Sequence, residues 1–231
     1  MFEQRVISQE VADEQRRFMM KVYNWMSSAL LVTALIAYFV STSESMMRFM
    51  FGNPMIFMGL FIGELFAVGY LVVALKKMSA TTATFVFMLY AALNGLTLSF
   101  IFIVYTSAAI SNAFFTTAAM FGAMSFYGYT TKKDLTSWGS FLFMGLIGII
   151  IGSVVNMFWA NSALYWLITY IGVFVFVGLT AYDTQKIKQM NIIGNEGTDE
   201  DKKEAIIGAL RLYLDFINLF LMLLRIFGRR D

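Results

Sequence analysis

The stretch Met55–Leu75, reading MIFMGLFIGELFAVGYLVVAL, decides the fold. Glu64 is its single formally charged residue. A helix rises about 1.5 Å per residue, so a run of this length crosses a hydrocarbon core about 30 Å thick, which needs about 20 residues. Asn53-Pro54 stands in front of it, a good N-cap followed by the residue best tolerated at the first helical position. Lys76-Lys77 closes it. The stretch predicts a membrane-spanning helix with one acid left inside.

Working outward, six more apolar runs approach that length: Val22–Phe39, Ala83–Tyr105, Ala109–Tyr129, Phe141–Trp159, Leu164–Tyr182 and Leu212–Phe227. Short links carrying turn residues and charges separate most of them. Of the 231 residues 59% are hydrophobic and 14% charged, whereas an ordinary soluble domain is about 45–50% apolar and about 25% charged. The expected fold is an all-α integral membrane bundle of seven transmembrane helices, forming one domain over residues 22–231. Residues 1–21, with Glu3, Arg5, Glu10, Asp13, Glu14, Arg16 and Arg17, read as an amphipathic cytosolic segment and not as a cleavable signal peptide.

The absences narrow the chemistry. Without Cys there are no disulfides, thiolate nucleophiles or Cys-ligated metals. Without His the usual general base, metal ligand and near-neutral proton switch are missing. No HExxH or GxSxG occurs, so the chain is not expected to be an enzyme, although paired aspartates leave aspartyl hydrolysis formally open. A net charge of +2, scattered along the chain, points away from nucleic acid. No resident cofactor is expected.

Lys and Arg placement predicts orientation. Arg5, Arg16, Arg17 and Lys21 precede the first span, and the links after spans two, four and six carry two, two and five basic residues. The links after spans one, three and five carry one, none and none. The N-terminus is therefore expected in the cytosol, in what would be a bacterial cytoplasmic membrane. Seven spans then put the C-terminus outside, although it carries Arg225, Arg229 and Arg230. A last segment that dips in and returns would relieve that conflict.

The long link from Asp183 to Arg211 includes Asn195-Glu196-Gly197-Thr198-Asp199-Glu200-Asp201. It lacks EF-hand spacing. Thr198 reads instead as the cap of a helix whose first turn is acidic, as a helix N-terminus favours. That helix should run on into the last span.

A charge at the centre of a span costs about 2.5–3.5 kcal/mol even on insertion scales. The candidates are Glu64, Asp183, Arg211 and Asp215. In the last span Gly208, Arg211, Asp215, Asn218, Met222 and Arg225 recur at steps of three and four, one face of a helix. If Lys186 and Arg211 mark the interface, Asp183 lies roughly 4–5 Å and Asp215 roughly 6 Å below it, at about 1.5 Å per residue. The two acids could then meet, provided residues 199–210 form a helical extension outside the lipid. A solvated carboxylate at Asp183, an Arg211–Asp215 pair one turn apart and a hydrogen-bonded Glu64 are the structural alternatives. Gly59/Gly63 and Gly148/Gly152 read as close helix packing.

Ala181-Tyr182-Asp183-Thr184-Gln185 and Leu214-Asp215-Phe216-Ile217-Asn218-Leu219-Phe220 resemble signatures of the Bax inhibitor family of transmembrane proteins. Glu64 and Asn94-Gly95-Leu96-Thr97-Leu98-Ser99 are similar to further features of that family. The resemblance runs from the first span to the last. It implies two three-helix layers around a central last helix, and a pH-sensitive calcium leak with Asp183 and Asp215 as sensor. It also implies a basic residue near the second span that contacts the pair, for which Lys76, Lys77 and Arg211 are candidates.

The chemistry fits. Two carboxylates at hydrogen-bond distance in a poorly solvated place cannot easily both ionise, so they hold one proton between them. Losing it would favour separation, water entry or a bound cation. Calcium, a hard cation and here the transported ion, would accept such carboxylates with oxygens from Asn218, Thr184 or Gln185. The expected partners are the bilayer, calcium and protons. The competing expectation is a non-transporting regulator that binds another membrane protein, such as a membrane protease or an apoptosis factor.

Overall fold

The Met55 amide donates to Asn53 Oδ1 at 3.0 Å and a helix starts at Pro54, as the Asn-Pro pair predicts. This computed structural model describes the backbone of residues 2–74 and 77–228, and the side chains of these except residues 2–8 and Phe57. Lys76, Arg229 and Arg230 lie outside the described residues. In chain order the helices are α1 Phe2–Ser41, α2 Glu44–Phe51, α3 Pro54–Ala74, α4 Ala80–Leu98, α5 Ile101–Val104, α6 Ser107–Thr130, α7 Thr136–Phe158, α8 Ser162–Met190 and α9 Asp199–Phe227. No strand occurs among the described residues. Seven of the helical stretches are long and apolar enough to cross a membrane: those of α1, α3, α6, α7, α8 and α9, and the one formed by α4 with α5.

The seven spans stand, with changed edges. The N-terminal residues from Phe2 are helical and continuous with the first span, in one helix of 40 residues. The third span divides at Ser99, where the Ser99 amide donates to Gly95 O and Leu96 O and its hydroxyl to Leu96 O at 2.6 Å. That tightening separates α4 from α5. The link after the first span holds a short helix, α2, capped by Ser43 and carrying a Glu44–Arg48 ion pair at 2.6 Å. The sixth span runs on to Met190, since residues 183–190 hold no helix breaker. The last is one continuous helix from Asp199 to Phe227 and makes no re-entrant turn. The Asp201 amide donates to Thr198 Oγ1 at 3.2 Å, the expected cap.

Packing groups the described residues into two compact units. Unit 1 takes the described residues up to Val104 with Ile187–Tyr213, and unit 2 takes Tyr105–Lys186 with the described residues from Leu214 onward. Three spans belong to each and the last helix is divided between them. In α9 72% of the most apolar window is buried, against 6–39% in the other spans. The last helix is the core element.

Unit 1 is built on Tyr213, which is fully buried with Phe87 and Tyr90 meeting its ring edge-on at 5.7 and 6.0 Å. Its hydroxyl lies 2.7 Å from Thr33 Oγ1, and Thr33 donates its own proton to Ala91 O at 2.8 Å. Tyr213 is therefore the donor of the pair. Gly95 lets α4 approach α1 closely, since a Cβ there would fall 2.7 Å from Thr33 O. At the far end, the link between α8 and α9 is clasped to α1. Arg17 donates from two nitrogens to Glu196 at 2.9–3.1 Å, Lys21 pairs with buried Asp201 at 2.8 Å, and the Gly194 amide donates to Glu14 at 2.9 Å. The Ala80 amide, at the start of α4, donates to Asp199 at 3.1 Å.

Candidate functional site

In unit 2 small residues bring α8 against its neighbours. A Cβ at Gly128 of α6 would lie 2.2 Å from Ala181 O, and one at Gly139 of α7 would lie 2.4 Å from the Tyr182 ring. Only glycine allows both approaches. Between them Thr184 Oγ1 and Ser125 Oγ share a hydrogen bond of 2.9 Å, both buried. Gln185 uses its whole amide on the link between α6 and α7: it accepts from the Leu135 amide at 2.9 Å and donates to Lys133 O at 2.8 Å. Lys186 donates to Thr136 Oγ1 at 3.0 Å. In the same link, hydrogen bonds from Thr136 hold the Asp134 carboxyl below its ordinary range. These contacts fix the rotation of α8, and with it the direction of Asp183.

That direction follows from helix geometry. A Cβ at Gly172 would lie 2.8 Å from Met222 Sδ, so these residues mark the facing stripes of α8 and α9. At 3.6 residues per turn, Asp183 is about three turns and 20° beyond Gly172, and Asp215 about two turns and 20° before Met222. Both acids thus fall on the stripes that face each other. The helices are antiparallel, which leaves the two Cα atoms offset along the axis by about 6 Å, or four residues of rise. Helical side chains lean toward their own N-terminus. Here that tilts each carboxylate toward the level of the other.

The surroundings are dry. Asp215 is 5% exposed, and Phe216 beside it packs edge-on against Phe114 and Phe121 at 5.8 and 5.5 Å. Asp183 is half-buried. Asn218 is half-buried, and its Nδ2 donates to Leu214 O at 2.8 Å. Among the described residues no three acidic side chains converge on one point.

The other expected contributors fall in unit 1. Glu64 on α3 is half-buried and accepts a hydrogen bond from the Thr97 hydroxyl of α4. Arg211 and Lys77 are exposed. Asp183, Asp215, Thr184, Gln185 and Asn218 are all in unit 2. Thr184 and Gln185 hold neighbouring helices in place there. Ser125, Gly128 and Gly139, which build the cradle of α8, had no marker in the sequence beyond small size.

The chain matches a family model described as "Inhibitor of apoptosis-promoting Bax1" over residues 15–231. It is 55% identical over 214 residues to the inner membrane protein YbhL of Escherichia coli, covering 92% of each chain. It is 47% identical to a protein of Borreliella burgdorferi, over 94% of this chain and 93% of that one. A membrane protein of Streptococcus pyogenes is 37% identical over 93% of each.

Proposed function

The chain belongs to the Bax inhibitor family of membrane proteins, and on that premise we propose that it is a pH-sensitive calcium leak gated by Asp183 and Asp215. The observation that supports the reading is the close approach of α8 to α9 at Gly172 and Met222, from which helix geometry carries Asp183 and the 5% exposed Asp215 onto facing stripes. In so dry a place the pair holds a proton between its carboxylates, which links α8 to α9. When the proton leaves, two like charges face each other with little water, and the stable responses are separation of the helices or capture of a cation. A hard divalent cation meets both acids and the side-chain oxygen of Asn218 along its way. The N-terminus lies in the cytosol, with Lys132, Lys133, Lys186 and Lys188 at the same membrane face.

Liposomes loaded with a calcium-sensitive dye test the reading. The purified protein should release calcium at a rate that depends on external pH. Asp183→Asn and Asp215→Asn should each flatten that dependence. Unchanged flux and pH response in both variants would overturn the mechanism.

A regulator that carries no ions is the second reading, favoured by the family description, which names an inhibitor of a protein factor. Zero flux together with a stably co-purifying membrane protein would replace the first reading by this one.

A further inference from the structure

Unit 2 holds a cavity of about 500 Å³ at the end of α8 away from Asp183, around Arg225. A smaller lobe of about 160 Å³ shares Asn156, Tyr165 and Arg225 with it. Arg225 is the one formal charge among the described lining residues. Its guanidinium sits 5.3 Å over the Tyr165 ring, which orients the plane while leaving the N–H edges for another group.

The polar lining is biased toward donors, for a reason in the local fold. Asn156 Oδ1 accepts from the Asn161 amide at 2.9 Å, and Asn161 Oδ1 accepts from the Leu164 amide at 3.0 Å as the cap of α8. With each carbonyl oxygen turned to a backbone amide, the NH2 edges of both side chains remain as donors for the cavity. The Ser162 hydroxyl and the first turn of α8 add further donors. Trp166, 38% exposed, stands at the mouth, and tryptophan favours the bilayer interface. A cation, two amide donor edges and a hydroxyl, walled by aromatic rings, recognise an anion carried near an apolar surface.

We propose that this cavity is a phosphate-binding site that seats the phosphodiester of an anionic membrane lipid, with Arg225 as its counter-charge and the Asn156 and Asn161 NH2 groups as fixed donors. A phosphodiester matches the planar fork of arginine, and its acyl chains would follow the apolar surfaces of Met157 and Ile168 in the smaller lobe. The site also accounts for a basic side chain at the end of the bundle where the basic-residue pattern expects none: its charge is taken up by a bound anion.

The test uses the full chain in neutral detergent, with intrinsic tryptophan fluorescence and melting temperature as readouts. It is titrated with phosphatidylglycerol, with phosphatidylcholine and with inorganic phosphate. Phosphatidylglycerol should bind saturably and raise the melting temperature, and phosphatidylcholine should do neither. Arg225→Gln should weaken phosphatidylglycerol at least about tenfold, the factor for one lost charge-assisted contact. Asn161→Asp guards against a merely misfolded variant. It keeps the acceptor that caps α8 and swaps the donor edge for a carboxylate, so it should lose the lipid while its unliganded melting temperature stays at the wild-type value. Equal binding of phosphatidylglycerol by wild type and both variants overturns the proposal. Saturation by inorganic phosphate, with no added effect of the lipid, overturns the lipid as the source.

Discussion

Gly128 and Ala181 touch so closely that a methyl group at position 128 would lie 2.2 Å from the Ala181 carbonyl oxygen, on the residue two before Asp183. Backbone, unlike a flexible side chain, cannot step aside. Gly128→Ala should push α6 from α8 and lower stability by about 1–3 kcal/mol, the usual range for overpacking. At Gly148 a Cβ would meet nothing within 4 Å. Gly148→Ala should therefore be neutral or gain up to about 1 kcal/mol from helix propensity. Thermal unfolding of the two variants in one detergent checks the contrast.

The Tyr213–Thr33 pair predicts an asymmetry. Tyr213→Phe removes a donor and leaves Thr33 still bonded to Ala91 O, so it should cost about 1 kcal/mol. Thr33→Val strands a fully buried phenol hydroxyl and leaves Ala91 O without its side-chain donor, which should cost about 1–3 kcal/mol. If Tyr213→Phe proves the more damaging, the assigned donor direction is wrong.

Gln185 joins α8 to the link that carries Lys132 and Lys133. In Gln185→Ala the buried Leu135 loses the acceptor of its amide, and the expected penalty is again about 1–3 kcal/mol. Both lysines are exposed. Trypsin should cleave this link several-fold faster in the variant than in wild type.

Acid should loosen the clasp between α1 and the α8–α9 link. Hydrogen bonding to Arg17, then the charges of Arg17 and Lys21, hold the Glu196 carboxyl below its ordinary value of 4.5. A depressed folded-state value means that the stabilisation is present above the unfolded value and is lost as pH falls through the folded one. Amide exchange at Gly194–Gly197 should accelerate, beyond its intrinsic pH trend, as pH drops below about 4.5. Glu196→Gln should remove that step and leave exchange fast already at neutral pH.

Much of this was legible in the chain because lipid makes a simple demand. A run such as Met55–Leu75 can satisfy its backbone in hydrocarbon only as a helix. The Asn53-Pro54 start and the Thr198 cap were local signals, and the structure keeps them. The break at Ser99 was hidden, because its apolar neighbours read equally well as a continuous span. The clasp of Arg17 and Lys21 on Glu196 and Asp201 joins residues about 180 positions apart, which no periodicity reports. At the candidate site the two aspartates stood out as charges in an apolar run. Gly128 and Gly139 did not, since a glycine in a membrane helix is unremarkable until the neighbour that needs it is known.

The length of α1 carries a mechanical consequence. Its 40 residues make a rod about 60 Å long, twice the depth of the hydrocarbon it must cross. Several turns must project into water, where Arg17 fastens that projecting mast to Glu196 in the α8–α9 link and Lys21 fastens it to Asp201 at the head of α9. The part of α1 outside the lipid is thus tied to the first turn of the helix that bears Asp215.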